Sequence, residues 1–383
     1  MTRLLTLVGD PTSVETRGGQ PFFFLQASKA QGFLDDGLAL KPAKLKTQRI
    51  LWNLLSLLTT GEKGGFQYTS YFLRSLFRQA NLGNGEIEFI SYFPLLPPPP
   101  WEPEWQVNYY IDATLKQNFV DYEIQNIASS KVQQKALTQE RKNYQAAERI
   151  ICRSCWAANS VTQDYGIDPQ KIHVILPGAS IPDVLAAKAI QSLKDPVEIK
   201  MQPLRLGFVG VDWQRKRLPY LLDVAQHLDS RKIPVEVVAI GPDPKKLPKH
   251  ALLHPIGYMS KQENIEEFIE LMTSFHFTCL FSSVEGQGQS ILESLRLGVP
   301  VLGARTGGIP DSIPEGLGFV FDLEAPPSAV ADLLESFVKN PSLYQTLRQR
   351  VVSRVEEFSW QKTVKNFIRL WEGSGEFCYE KLY

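Results

Sequence analysis

A short apolar run, Phe277-Thr-Cys-Leu-Phe-Ser-Ser283, leads through Val284-Glu285-Gly286-Gln287-Gly288-Gln289-Ser290 into Ile291-Leu292-Glu293-Ser294-Leu295-Arg296-Leu297, which Gly298 closes. The first run is unbroken by charge and has the length of a buried strand; the last has the pattern of a helix with a glycine stop. A buried strand that turns straight into a helix is the unit of a parallel sheet covered by helices, and the same alternation recurs along the chain.

The turn between the two elements carries two glycines and is bracketed by Glu285 and Glu293. Glycine lets backbone approach a ligand closely, and the unpaired N–H groups of a first helical turn attract phosphate. Carboxylates on either side would repel a phosphate placed on them and suit hydroxyl groups instead. A ligand with phosphate in its middle and hydroxyls at both ends is a nucleotide sugar. Two plainer readings stand beside this one. Ser290-x-x-Glu293 also fits a capping box, and Glu285 also fits a solvated loop carboxylate.

With 383 residues, the chain exceeds one ordinary domain and fits two cores with a cleft between them. The boundaries expected are 1–180, a linker at 181–203, a second domain at 204–360, and a C-terminal helix and tail at 361–383 that returns to the first domain. The formal net charge of zero argues against nucleic acid as the main partner. No run reaches the ~20 apolar residues of a spanning helix, and the N-terminus reads as a strand, so the expected compartment is the cytoplasm. Four cysteines do not make a disulfide framework in so long a chain; Cys152-Arg-Ser-Cys155 has redox-motif spacing but lies in an apolar stretch that suits buried thiols. Histidines are too few and too scattered for a metal site.

In the first half, Leu4–Val8 reads as a strand and Gly18-Gly19-Gln20-Pro21 as the loop before a helix at Phe22–Ala30. That loop is either a phosphate-facing turn or an ordinary one. Lys41, Lys44, Lys46 and Arg49 lead into Ile50–Leu58, with no acid from Gly37 to Gly61. A basic lead into an apolar helix bearing Trp52 has the composition of a membrane-surface element, here at the inner face, or of a core helix with a solvated start. Trp101 and Trp105 suit either stacking on a sugar or packing under their loop. Val107–Ile111 reads as a strand that delivers Asp112-Ala-Thr114 at its C-terminal end, the side where open parallel sheets bind ligands. Asp112 is thus a site candidate or a helix cap.

In the second half, Leu204–Gly210 starts a new sheet, and its exit loop ends in Arg215-Lys216-Arg217. Cations there would aid phosphate binding, or form a solvated basic face. Val299–Leu302 and Gly303-Ala-Arg-Thr-Gly307-Gly308-Ile-Pro310 follow the opening stretch, and their loops fall on the same sheet edge.

In this order the motifs resemble the family-four glycosyltransferases, retaining enzymes of the GT-B fold. Glu285 and Glu293, with seven residues between them that include Gly286 and Gly288, resemble that family's paired glutamates. Phe208–Lys216 resembles its diphosphate-gripping loop, and Gly303–Pro310 its glycine segment. Weaker likenesses are Gly18–Pro21, Asp112–Thr114, Ser154–Ala157 and Pro177–Ala179.

The resemblance implies two Rossmann-like parallel-sheet domains across a cleft, the second holding a nucleoside-diphosphate sugar as donor substrate and the first an acceptor. It implies catalytic roles for Glu285, Lys216 and Asp112, without a metal or a cofactor. Glu285 would take sugar hydroxyls and Glu293 the ribose. Gly288, Gln289 and Ser290 would offer backbone N–H groups to the diphosphate, Arg215 and Lys216 their charge, and Gly19 would approach from the first domain. The chain departs from the pattern at Val211, where many members place an arginine, and at Gln287, Ser294 and Ser180. No histidine precedes His173, and Asp112 is placed in the neighbourhood where many members carry one. These departures keep open a GT-B protein that binds without transferring. A sugar-nucleotide epimerase on the same fold lacks a suited acid and base pair.

Overall fold

The computed structural model describes residues 1–62, 64–83, 85–122, 128–194 and 201–374. The chain divides into two compact units, one built from Met1–Leu176 with the chain from Thr363 on, the other from Pro177–Lys362. Each contains its own six-stranded sheet, and every strand pairing in both sheets is parallel.

The first unit's strands are β1 (Thr2–Thr6), β2 (Asp36–Leu38), β3 (Ile87–Ser91), β4 (Trp105–Ile111), β5 (Arg149–Cys152) and β6 (Ile172–Val174), in the order β2-β1-β3-β4-β5-β6. Its helices are α1 (Gln20–Ala30), α2 (Lys46–Thr60), α3 (Ser70–Phe77), α4 (Leu115–Val120), α5 (Ser130–Ala146) and α6 (Cys155–Gln163). Parallel strands lie between helical layers, so they read as continuous apolar runs, and β3 is buried at all five positions. The second unit begins with α7 (Asp183–Lys194) and orders its strands β12-β11-β10-β7-β8-β9. They are β7 (Leu204–Val209), β8 (Val235–Ile240), β9 (Leu253–Gly257), β10 (Phe277–Leu280), β11 (Val301–Ala304) and β12 (Gly318–Phe321). The helices α8 (Leu218–Ser230), α9 (Ile265–Thr273), α10 (Gln289–Arg296), α11 (Pro327–Lys339), α12 (Pro341–Ser353) and α13 (Trp360–Trp371) follow between and after them.

Two sequence expectations change. The linker expected at 181–203 holds α7, whose Ala186 is fully buried beside Ile181 and Ala179 in the second unit's core. Pro182 stands just before the helix, where its missing N–H costs nothing. The Trp52-bearing helix is not a core helix. Gln48, Trp52 and Ser56 are half-buried, and its other described side chains are exposed.

The first unit closes over the returning end of the chain. Phe367 on α13 packs against Tyr110 at 4.9 Å and Phe24 at 5.1 Å between ring centres. Trp371 donates its indole N–H to Glu88 Oε1 at 2.8 Å, which also accepts from Asn108 at 3.0 Å. Glu88 is buried in β3 and paired with Arg3, so its charge is compensated where a lone carboxylate would be costly.

A second buried carboxylate joins α5 to α4. Glu140 accepts from the Leu115 backbone N–H at 2.9 Å, from Tyr144 at 2.8 Å and from Tyr165. Burial outweighs these bonds and pushes its carboxyl up to about 7. Cys152 and Cys155 are buried and form no disulfide, and burial raises the Cys152 thiol, which makes it a poor nucleophile. Trp101 donates to the Pro97 carbonyl at 3.0 Å and Trp105 sits edge-on to Phe77 and Phe89, so both pack under their loop.

Candidate functional site

Three adjacent strands of the second sheet, β11, β10 and β7, end at the same edge, and each releases a loop there. Backbone bonds tie the loops together: Ser283 N–H to the Arg215 carbonyl at 2.9 Å, and Gly308 N–H to the Glu285 carbonyl at 2.8 Å. Thr306 adds its hydroxyl to the Ser282 carbonyl at 2.8 Å. Two glycines make this approach possible. Gly307 has φ +52°, and a Cβ there would stand 2.0 Å from the Glu285 carbonyl oxygen. Gly210 has φ +146°, and a Cβ would meet the Lys216 side chain at 2.4 Å, so Lys216 lies across the glycine and is aimed by it.

The charged centre is Glu285. Its Oε2 receives Arg215 Nη1 at 3.0 Å, Lys216 Nζ at 3.2 Å and Ser282 Oγ at 3.2 Å. Arg215 is held further by the Val284 carbonyl at 2.6 Å and by Asp212 at 3.2 Å. The side chains of Glu285 and Lys216 are each 14% exposed, which is little screening for a charge cluster and enough for a ligand to reach it. All three donors converge on one oxygen, and Oε1 has no protein donor among the described residues. Arg217 does not join. Its left-handed backbone turns it away, and its guanidinium donates to the Leu323 carbonyl at 2.7 Å. Of the two arginines able to stand in for the residue at Val211, Arg215 is the one at the site; Val211 itself is exposed.

Gly288 is the N-cap of α10, and Gly286, Gly288 and Ser290 are buried at its mouth. The capping box proposed for Ser290 and Glu293 does not form. Ser290 lies inside the helix rather than at its cap, and its hydroxyl is buried without a partner. Glu293, 2% exposed, is paired instead with Lys261 and accepts from Gln289 at 3.2 Å. The Gln289 amide also donates to Ser180 Oγ at 3.0 Å and the Gly178 carbonyl at 3.4 Å. Gln289 is therefore an internal brace, and its backbone N–H already points to the Gln287 carbonyl at 3.1 Å.

Gly19 and Asp112 belong to the first unit. Gly19, at φ +88°, is the N-cap of α1. Asp112 ends β4 without a side-chain bond among the described residues, since the cap of α4 is Thr114, which forms a full capping box with Gln117. Arg17 lies within Coulombic range of both Asp112 and Arg153. Arg153, buried between the rings of Tyr92 at 4.3 Å and Tyr110 at 4.6 Å, reaches Gln20 at the start of α1. Sequence reasoning missed Arg153, Lys261 and Ser282. Lys261 stands 32 residues from the carboxylate it meets, and a single lysine in a polar stretch carries no periodic signal.

Residues 190–354 match the family model described as glycosyl transferases group 1. The matched segment lies within the second unit. It contains Arg215, Lys216, Glu285 and Glu293, so the resemblance to family-four glycosyltransferases falls on the matched residues. Among curated relatives of the group 1 segment and its surroundings, a D-inositol 3-phosphate glycosyltransferase of Kribbella flavida is 23% identical over 257 residues, covering 62% of this chain and 59% of that protein. An N-acetyl-alpha-D-glucosaminyl L-malate synthase of Bacillus anthracis is 30% identical over 112 residues, 29% of this chain and 28% of that one. The aligned stretch spans a little over half the length of the first of these relatives. Among solved structures, a sucrose-phosphate synthase from Thermosynechococcus elongatus has a TM-score of 0.64 at 16% identity, covering 97% of this chain and 98% of that one. Anabaena Alr3699/HepE in complex with UDP has a TM-score of 0.63 at 13% identity, covering 97% and 100%. At such identities the likeness shows the fold: two Rossmann-like units of the GT-B type.

Proposed function

We propose that this chain is a glycosyltransferase that moves a sugar, with retention and without a metal, from a nucleoside-diphosphate sugar to an acceptor hydroxyl. The observation that carries the proposal is the convergence of Arg215 and Lys216 on Glu285 beside the first turn of α10. The bond from the anomeric carbon to the diphosphate breaks with its electron pair going to the diphosphate, so negative charge grows there. Two fixed cations and the N–H groups of a helix start are the stabilisers this chain supplies, and they are in place before the reaction begins. Solved neighbours of the same fold carry UDP, or UDP-glucose, in their complexes, which supports a donor of this chemical class.

On this reading Glu285 Oε1 accepts a sugar hydroxyl and Glu293 a ribose hydroxyl. Gly286, Gly288 and Ser290 let the diphosphate approach backbone, and Gly19 and Asp112 serve the donor and acceptor from the first unit. We place the reaction in the cytoplasm, in keeping with buried cysteines that form no disulfide among the described residues. Incubation with UDP-, GDP- and ADP-sugars, in buffer with and without EDTA, tests the reading. Turnover or slow hydrolysis of one of them, abolished in Glu285→Ala and unaffected by EDTA, is expected. No turnover of any, with Glu285→Ala unchanged in nucleotide binding, would sink it.

One observation favours a second reading. Both carboxylates are already paired with cations, Glu285 with Arg215 and Lys216 and Glu293 with Lys261. A protein that binds nucleotide sugar without transferring it would show tight nucleotide binding and no turnover with any donor.

A further inference from the structure

Helix α2 is anchored to its unit by a narrow stripe. Gln48, Trp52 and Ser56, spaced i, i+4 and i+8, are half-buried. Trp52 donates to the Gly64 carbonyl at 3.2 Å, and Ser56 to the Glu62 carbonyl at 3.1 Å. The opposite face is aliphatic and open. Ile50, Leu51, Leu54, Leu55, Leu57 and Leu58 are each between 53% and 76% exposed. Their i, i+3, i+4 spacing makes one continuous apolar stripe along the 15-residue helix. A stripe of this size is not a soluble protein's ordinary surface. Lys46 and Arg49 flank it, and Lys44 stands just before it. None of these three pairs with a carboxylate among the described residues, whereas Lys41 meets Asp10 at 3.3 Å.

A cavity of about 710 Å³ is walled by Trp52 of α2, by Tyr68 and Tyr71, and by Lys131, Lys135 and Gln139 of α5. Lys131 and Lys135 are one helical turn apart and exposed, so both ammonium groups serve one recess. Trp52 is shared by the anchoring stripe and the cavity wall, so the recess opens on the anchored side of α2 and not on its aliphatic face. Glu62, the acid next after α2 along the chain, is engaged by the Ser130 N–H at 3.1 Å.

We propose that α2 docks on an anionic lipid bilayer. The aliphatic stripe enters the interface, and Lys44, Lys46 and Arg49 meet lipid phosphates. Charge decides the occupant. A helix free of acids from Gly37 to Gly61 in a chain of zero net charge is a local cationic site, and cations beside an apolar stripe match an anionic interface. A second copy docked two-fold on the same face would bring these cations against their own copies. Nucleic acid would leave six aliphatic side chains unused. The inference concerns the first unit's surface and does not rest on sugar transfer.

The test is flotation of the full chain with vesicles of phosphatidylcholine alone and with about one third phosphatidylglycerol. Binding at least tenfold stronger to the anionic vesicles is expected, weakening with salt. The triple variant Leu54→Gln, Leu55→Gln, Leu58→Gln should lose most of it with an unchanged circular dichroism spectrum, since these side chains are more than half exposed. Lys44→Ala with Lys46→Ala and Arg49→Ala should reduce the preference for anionic vesicles severalfold, and millimolar inorganic phosphate should not displace the protein. Three results would overturn the proposal: no flotation with either vesicle, binding unchanged in the leucine variant, or a wild-type dimer in solution that the leucine variant makes monomeric.

Discussion

At the residue scale, the site is a set of charges that already satisfy one another. Glu285 occupies, toward Arg215 and Lys216, the position an anionic ligand would take. On the proposed reading, a diphosphate would draw the cations from Glu285 and free the carboxylate for a sugar hydroxyl at the same moment. The neutral variant Glu285→Gln should bind a nucleoside diphosphate about threefold to tenfold more tightly than wild type by calorimetry, while sugar transfer falls by at least a hundredfold. Lys216→Ala should weaken the same binding about tenfold with the fold retained; an unchanged affinity would remove its phosphate role. Lys261 is a different case. Its removal leaves Glu293, 2% exposed, as a buried carboxylate with an amide as its remaining partner. Lys261→Ala should cost about 2–3 kcal/mol in urea denaturation, the partial exposure of the lysine moderating the usual buried-pair value. Adding Glu293→Gln should restore most of it.

At the element scale, Glu140 links α5 to α4 at the price of a raised carboxyl, about 7 against an ordinary 4.5. The sign follows from linkage: between those values the folded chain holds a proton that the unfolded chain has lost, so stability falls as pH rises. The contribution is full below about pH 4.5 and gone above about pH 7, roughly 3 kcal/mol over the window. Thermal unfolding of wild type and Glu140→Gln across pH 4–8 checks this, and the variant should lack the slope. Gly307 governs another element. A Cβ there meets the Glu285 carbonyl at 2.0 Å in a backbone region that disfavours side chains. Gly307→Ala should lower nucleoside-diphosphate affinity more than tenfold by shifting the Glu285 loop, with the second unit still folded.

At the scale of the whole molecule, each unit has a core of its own, but the first is completed by the end of the chain. Phe367 is fully buried among Phe24, Phe33 and Tyr110. Phe367→Ala should destabilise the first unit by about 3–5 kcal/mol, and calorimetry should show one thermal transition moving while another stays. The doubly wound architecture was legible because parallel strands buried on both faces spell uninterrupted apolar runs, as in Phe277–Leu280 and Val235–Ile240. The strands that sequence missed, Asp36–Leu38, Leu253–Gly257 and Gly318–Phe321, are short and at sheet edges, where one side lacks a partner and the apolar signal thins.

Of the site, local sequence determined what local chemistry determines: a strand that turns through glycines into a helix, with carboxylates at its two sides and cations in a neighbouring loop. Tertiary structure decided which charges meet. That Glu293 faces Lys261 rather than Ser290, that Arg217 leaves the site while Arg215 joins it, and that α2 shows its leucines to solvent all depend on contacts between distant segments. Hydrophobic periodicity records which face of an element avoids water, not which element covers it, so such partnerships exist only once the sheet has brought its loops to one edge.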